Sequence, residues 1–290
     1  NDVLGENAGS TPIAMWWAFL DSENPILDGF YQLNRADTLA KARAAAAKVS
    51  APGLNIVWAN AKGDIGWWAA AQLPIRPAGV NPGFILDGST AQADKLGFYP
   101  FSANPQEENP ARGYIVSANF QPLSPAGIEI PGYYNLADRG QQLDRQLSDA
   151  SVKWNLKNSQ ALQLGTATGY AQRVLKPLLP VLREVVTDPG ERKLVEQLAQ
   201  WKGDYPLDST AATLFNQFLY SLTEATMRDK LGDSFFDAML TTRVIDAALP
   251  RLAASPDSPW WDNRSTARTE TRADTVKVAW QASIAHLKAT

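Results

Sequence analysis

The chain has 290 residues, of which 45% are hydrophobic, enough to bury a substantial core in one large domain or two smaller ones. Its 27 basic and 30 acidic residues give a net charge of -3 spread along the chain, which argues against nucleic acid or an anionic membrane surface as a partner. The absence of cysteine excludes disulfides and thiolate chemistry, and no apolar stretch approaches the roughly 20 residues that cross a bilayer.

The first half of the chain, rich in Trp, Pro, Gly and Asn, predicts a mixture of helix and short strands. Asp37 is a candidate cap for a helix over residues 39–49, which are dense in Ala and Lys. Residues 54–59 and 64–70 read as strands, and the loop between them ends in Gly63, which can take a positive φ. The sequence therefore predicts an antiparallel hairpin preceded by a helix.

Downstream of the hairpin, two further segments have opposite character. Residues 114–118 form a short β-branched and aromatic run that predicts another strand. Residues 104–113 before it are acidic and Pro-rich, and are expected to be irregular.

The second half becomes helical near Asp138. Start signals and apolar spacing predict helices from Asp188, from Asp208-Ser209, over residues 234–249 and over residues 276–287. The predicted organisation is an α+β part over residues 1–145 and a mainly helical part over residues 146–290.

Several familiar chemistries lack their residues. The sequence has neither Gly-x-Ser-x-Gly nor a phosphate-binding or dinucleotide-binding Gly pattern. The single histidine, His286, cannot form a zinc cluster, and its place beside an apolar helix stripe favours a structural or surface role. Glu107 and Glu108 are expected to be solvated charges rather than the carboxylate pair of a glycosidase.

Three segments carry the strongest functional signal. They are NIVWANAKGDIGW at residues 55–67 with LPIRP at 73–77, GYIVSAN at 113–119, and ADR at 137–139 with LDR at 143–145. In their order and spacing they resemble the middle of the β-chain of penicillin acylases, a family of N-terminal nucleophile hydrolases. Residues 14–21 and 258–262 extend the similarity over nearly the whole chain.

The resemblance implies a fold and a mechanism. The fold is α+β, part of a four-layer αββα sandwich with a helical appendage. The family cleaves N-acyl amides, such as β-lactam side chains or acyl-homoserine lactones, by attack of an N-terminal Ser that uses its own α-amine as base. Asn1 is not that Ser and the chain opens without a leader. We therefore expect an internal piece whose partners are the α-chain and the remainder of the β-chain of the same precursor, with the nucleophile outside it.

The resemblance also assigns roles to individual residues. Asn119 matches the side-chain amide that stabilises the tetrahedral oxyanion. Arg139 matches an arginine that orients the nucleophile and the oxyanion Asn, with a surface ion pair to Asp138 or Asp144 as the simpler alternative. Leu54 and either Trp17 or Trp16 match the acyl pocket, where plain core packing is the alternative.

The remaining expectations concern a metal site, the cellular location of the protein and two alternative functions. The chemistry requires no cofactor, but the family implies a structural calcium, to which Pro82 would give a carbonyl and Glu129 a carboxylate. The family also implies a periplasmic or secreted protein. The rival hypotheses are a non-catalytic secreted ligand-binding module whose 10 Trp residues stack on flat groups, and a family member that has lost catalysis and serves as a scaffold.

Overall fold

The computed structural model describes residues 10–290, so Asn1 lies outside the described residues. The chain divides into two compact units, the first ending at Tyr134 and the second beginning at Asn135. The sequence placed the division at residue 145, within the first helix of the second unit. Among the described residues, no helix combines the length and apolar character needed to span a membrane.

The first unit contains short helices, an antiparallel sheet and a two-stranded ribbon. Its elements are α1 (Ala18–Asp21), α2 (Ile26–Arg35), α3 (Leu39–Ala46), β1 (Leu54–Ala59), β2 (Ile65–Ala70), β3 (Pro74–Ile75), β4 (Gly97–Phe98) and β5 (Gln106–Glu108), with 3-10 turns at Ala91–Ala93 and Phe101–Ala103. The larger sheet has the order β1-β2-β5 with both pairs antiparallel, and β3 pairs with β4.

The predicted hairpin is confirmed. β1 and β2 pair in register from Leu54 opposite Ala70 to Ala59 opposite Ile65. Gly63 has φ +90°, the conformation that the loop requires of it. The Oδ1 of Asn60 accepts the backbone N–H groups of residues 62 and 64, both at 3.0 Å, which closes the loop from inside.

Two strand expectations downstream are wrong. Residues 104–113 are not wholly irregular, because β5 pairs with β2 through main-chain hydrogen bonds. Pro105 has no N–H to donate, but its carbonyl accepts a hydrogen bond from Ala69 N at 2.9 Å. Residues 114–118 do not form a strand with any described segment. A β-branched run becomes a strand only where a partner offers backbone groups, and local sequence does not reveal the partner.

The predicted helix over residues 39–49 exists but is shorter and capped differently. Its cap is Thr38, whose Oγ1 accepts from Lys41 N at 3.3 Å. Asp37 instead pairs with the Lys41 ammonium at 2.7 Å. The α-helix ends at Ala46, and a tight turn leads from there to the cis Ala51-Pro52 bond.

The core of the first unit lies between α3 and one face of the sheet. The small side chains of α3 allow the two layers to approach closely. This cluster consists of Ala42, Ala46, Val49, Ile56, Trp58, Trp68 and Ala70.

The second unit is a set of helices around its own core. They are α4 (Asp138–Leu147), α5 (Leu156–Gln163), α6 (Tyr170–Val185), α7 (Pro189–Gln200), α8 (Thr210–Leu231), α9 (Asp233–Leu240), α10 (Val244–Ala253) and α11 (Arg272–Ala289), with a 3-10 turn at Pro259–Trp261. The core packs α6, α8, α10 and α11 together; its largest fully buried side chains are Phe215, Phe218, Phe236, Trp261 and Trp280.

Helix starts in the second unit follow their caps. Asp188 accepts from Glu191 N at 2.9 Å and Ser209 from Ala212 N at 3.1 Å, as expected for α7 and α8. The single helix predicted over residues 234–249 is two helices. Thr241 and Thr242 each donate a hydroxyl to a carbonyl of α9 at 2.7 Å, which ends that helix before α10 begins.

Candidate active site

The sheet of the first unit has two chemically different faces. Ile56, Trp58 and Trp68 point from β1 and β2 into the core against α3. Because side chains alternate along a strand, Asn55 and Trp67 lie on the opposite face. Their side chains are joined by a hydrogen bond from Trp67 Nε1 to Asn55 Oδ1 at 2.9 Å.

This second face forms one wall of a cavity of about 610 Å³. The other wall is the chain downstream of Gly113, which crosses over the sheet without joining it. The lining residues that carry the argument are Leu54, Trp67, Glu107, Asn119, Phe120 and Tyr133. The segment predicted to be a strand is therefore a wall of the cavity.

Hydrogen bonds within the first unit hold this crossing segment, the chain downstream of Gly113, in place. The buried side chain of Asn104 donates to the carbonyls of Ala69 and Ala71 at 2.9 and 2.8 Å. Ser124 Oγ donates to Ala103 O at 2.6 Å, which fixes the crossing segment to the same loop. The cavity wall is thus tied to β2 through residues 103 and 104.

The lining is predominantly apolar and its one carboxylate is neutralised. Leu73, Val116 and Ile130 supply apolar surface. Glu107 also lines the cavity, but its carboxylate pairs with the Arg112 guanidinium. Such a cavity favours a neutral, largely apolar group over a charged one.

Asn119 lines this cavity in an uncommon backbone conformation, with φ +60°. That region costs most side chains steric strain, whereas Asn tolerates it. Its side chain is exposed and follows Ala118, which is buried. The structure therefore places a neutral amide beside a largely apolar cavity.

The other expected pocket residues divide into two groups. Leu54 lines the cavity and also packs against the core of the first unit. Trp16 and Trp17 are not among its lining residues and are about half exposed, at 46% and 50%. Trp16 instead donates its Nε1 to Asp21 at 3.1 Å and lies under the Lys95 ammonium.

Arg139 lies in the second unit, exposed, in the first turn of α4. The preceding residue, Asp138, is buried and pairs with Arg173 of α6. Asp138 thus forms a contact between α4 and α6.

Glu107 and Glu108 do not face a common substrate. As neighbours on β5 they point to opposite sides of the sheet. Glu108 accepts from Arg43 Nε at 2.6 Å and from Trp68 Nε1 at 2.9 Å, and the Arg43 guanidinium lowers the pKa of this carboxyl. The expectation of merely solvated charges is wrong for Glu108, which ties α3 to the sheet.

The residues matched to a calcium site provide few ligands within the described part of the chain. Pro82 lies half-buried in a loop and Glu129 is exposed. The described residues include no group of three or more acidic or histidine side chains placed to hold a metal ion. Calcium takes six to eight oxygen ligands, so these two residues alone do not form a site.

Sequence reasoning missed much of the cavity lining. Trp67 was quoted only as part of a motif, although the register of the hairpin already places it opposite the core face. Phe120 and Tyr133 gave no local signal, because they reach the cavity through a long irregular segment. Tyr134 also lines the cavity, where burial raises the pKa of its phenol.

Comparison with known proteins decides the family. The penicillin amidase family model matches residues 3–290. The chain belongs to the penicillin amidase family.

The curated relatives of this chain are named as acylases. The acyl-homoserine lactone acylase QuiP of Pseudomonas fluorescens Pf-5 is 27% identical over 270 residues, covering 86% of this chain and 32% of the relative. That of Pseudomonas aeruginosa is 25% identical over 266 residues, covering 84% and 30%. The chain thus spans about a third of the length of the curated relatives it matches.

A solved structure confirms the fold class expected from the resemblance. The thermostable penicillin G acylase from Alcaligenes faecalis matches with a TM-score of 0.69 at 21% identity, over 90% of this chain and 51% of that chain. The α+β fold of the penicillin amidase chain therefore corresponds to part of an acylase of the N-terminal nucleophile hydrolase fold.

The rival binding-module hypothesis loses its main support in the structure. Trp58, Trp67, Trp68, Trp261 and Trp280 are buried, so half of the 10 Trp residues are not available to stack on a surface ligand.

Proposed function

We propose that the protein containing this chain hydrolyses linear N-acyl amides with an apolar acyl group. The observation that carries the proposal is the cavity of about 610 Å³ that Asn119 and Leu54 both line. An apolar cavity binds the acyl group, and a neutral amide beside it can stabilise the oxyanion without desolvating a charge.

The proposed mechanism is acyl transfer. An N-terminal Ser, supplied from outside this chain, attacks the amide carbonyl while its α-amine takes the hydroxyl proton. The amide NH2 of Asn119 donates to the oxyanion that forms, and Arg139 orients the nucleophile. The protonated α-amine gives its proton to the leaving amine as the C–N bond breaks. Water then attacks the acyl-enzyme, the α-amine takes the proton of this water, and the acid is released as the Ser hydroxyl is re-formed. The reaction needs no cofactor.

The proposed substrates follow from the cavity and the relatives. Several curated relatives are named as acyl-homoserine lactone acylases, and a neutral acyl chain suits the lining of this cavity. We propose acyl-homoserine lactones as the first class to test, with β-lactam acyl side chains as the second. Degradation of a quorum signal in the periplasm or outside the cell would be the consequence.

The whole protein is proposed to mature by autocatalytic cleavage that exposes the nucleophile. The proposed partners of this chain are then an α-chain and the rest of the β-chain from the same precursor. A calcium ion contacted by Pro82 and Glu129 belongs to this proposal only if carboxylates from those other segments complete the site.

The test replaces Asn119 in the full-length protein. Asn119→Gly keeps the positive-φ backbone and removes the amide, whereas Asn119→Asp keeps the shape and places a charge beside the oxyanion. We expect either change to lower kcat at least about 100-fold with little change in KM, because the lost donor acts in the transition state. The assay uses N-acyl-homoserine lactones and acyl-4-nitroanilides of graded chain length.

The matched control is Asn109→Gly. Asn109 is also an Asn at positive φ, 43°, but it is not among the residues that line the cavity. Its replacement should leave kcat within about twofold. Intact-mass analysis establishes that each variant has been processed to a chain beginning with Ser, and wild-type protein that is not so processed would support the scaffold alternative. Near-normal turnover by Asn119→Gly would rule out the oxyanion role.

A further inference from the structure

Helix α4 is attached to the second unit in an unusual way. No residue of α4 belongs to the hydrophobic core that the described residues of this unit form. Its two buried residues are Asp138, a carboxylate, and Gly140, which has no side chain. Hydrophobic packing within the unit therefore does not explain the placement of the first turn of α4.

An ion pair supplies the missing attachment. Arg173 of α6 donates from Nε to one oxygen of Asp138 at 3.0 Å and from Nη2 to the other at 2.7 Å. The Asp138 side chain is 8% exposed and that of Arg173 is 45% exposed. Two parallel charge-assisted hydrogen bonds fix both the distance and the angle between the two groups, which a single contact would not.

Gly169 and Tyr170 at the start of α6 lie beside this ion pair. Gly169 caps α6 on the side of the ion pair, and a Cβ added there would lie 3.8 Å from Asp138 Oδ1 and 3.4 Å from Arg145 Nη2. The Arg173 guanidinium also lies 5.8 Å from the centre of the Tyr170 ring. Tyr170 belongs with the hydrophobic core, so the chain of contacts runs from α4 through Arg173 to that core.

We propose that Asp138 and Arg173 are positioning residues for the guanidinium of Arg139. This inference rests on the proposed function, in which Arg139 orients the nucleophile. Asp138 and Arg139 are consecutive in the first turn of α4, so the backbone that carries Arg139 is fixed wherever Asp138 is fixed. Small displacements of a positioning group cost large factors in rate, so the ion pair governs turnover without contacting substrate.

A double-mutant cycle in the full-length protein tests this inference. The four proteins are wild type, Asp138→Asn, Arg139→Ala and the double variant. Asp138→Asn is the chosen change because it leaves behind the half-exposed Arg173, which water can solvate, and not a buried carboxylate. We expect Asp138→Asn alone to lower kcat about tenfold on an acyl-4-nitroanilide with KM changed less than threefold. In the Arg139→Ala background it should lower kcat less than twofold.

The control is Glu196→Gln, which breaks a second bidentate pair on the same helix, Arg183 with Glu196 at 2.8 and 2.9 Å. It should leave kcat unchanged. If Asp138→Asn fails to fold by circular dichroism, Arg173→Lys replaces it in the cycle, since Lys keeps the charge but not the paired geometry.

Three results would overturn the inference, and they differ in what else they reject. Equal, additive losses in both backgrounds would leave the proposed function intact and show a purely structural ion pair. Full activity of Arg139→Ala would remove the role of Arg139 itself. Wild-type protein that is processed but cleaves no acyl amide would reject the proposed function together with the inference.

Discussion

Gly66 shows how one missing side chain shapes the sheet. It lies on β2 beside the ring of Trp68, and a Cβ at this position would lie 2.5 and 2.8 Å from two ring carbons. Trp68 is fully buried between the sheet and α3, so the ring has no free space to move into. The glycine is required by close approach and not by its backbone angles.

At this residue we predict that Gly66→Ala destabilises the protein by about 1 to 3 kcal/mol, the usual cost of overpacking a rigid core. Denaturant unfolding followed by Trp fluorescence measures the change. Gly88→Ala is the control, because a Cβ at Gly88 meets nothing within 4 Å. Equal stability of the two variants would contradict the role given to Trp68.

Individual residues also mark the limits of sequence reasoning. Asn119 and Leu54 were assigned through the resemblance, and the fold places both at one cavity. Arg173 lies 35 positions from its partner Asp138, and nothing in the local sequence of either residue indicates the pair. Contacts of this kind depend on how α4 and α6 meet, which periodicity and capping do not determine.

At the scale of elements, Glu108 connects three of them. From β5 it accepts hydrogen bonds from Arg43 on α3 and from Trp68 on β2. Its side chain is 22% exposed, so solvent screens this contact less than a surface pair. The helix and the two strands are thereby held in one arrangement.

We predict that Glu108→Gln lowers the free energy of unfolding at pH 7 by about 1 kcal/mol, because the amide cannot accept both partners as a carboxylate does. In the wild type the pKa of the Glu108 carboxyl is lowered. The stabilisation by its ionised form is therefore present above the ordinary value of 4.5 and is lost as the pH falls through the lower folded-state value. Urea unfolding at pH 7 and in acid measures both effects. A difference between variant and wild type that persisted in strong acid would contradict the ionic origin.

Elements were predictable where their signals are local. The hairpin was found because its loop and alternating strands are contiguous, and α7 and α8 because Asp188 and Ser209 cap them. β5 was missed because its pairing with β2 is set by main-chain groups about 40 residues apart, while its side chains are those of a loop. Whether a segment of this protein forms a strand thus depends on the strand it pairs with as much as on its own sequence.

At the scale of the whole molecule, the shifted pKa values of several carboxyl groups make the stability of the fold depend on pH. Asp28, Asp64 and Asp274 have pKa values held below the ordinary 3.8 by hydrogen bonds from neighbouring side chains. Asp246 behaves in the opposite way, since burial raises its pKa above 3.8. The first group stabilises the fold in its ionised form, whereas ionisation of Asp246 works against the fold.

We predict a Tm that is nearly constant from about pH 7 to pH 5 and falls below about pH 4, as the paired carboxylates take up protons. Asp246→Asn should raise Tm at pH 7, because the variant avoids a charge that the folded state disfavours. The advantage should shrink as the pH falls through the raised folded-state pKa of Asp246, and it should be absent below 3.8, where this residue is protonated in folded and unfolded chains alike. Thermal melts across this range measure both, and a lower Tm for Asp246→Asn at pH 7 would contradict the assignment.

The two faces of the β1-β2 hairpin have a consequence for how this protein can change over evolutionary time. Substitutions at Ile56 and Trp68 are limited by their effect on the stability of the core. Substitutions at Asn55 and Trp67 are limited by their effect on binding in the cavity. In a library of single substitutions, tolerance along each strand should therefore alternate with a period of two. Changes in what the cavity binds can therefore arise at every second position of a strand whose intervening positions are constrained by the core.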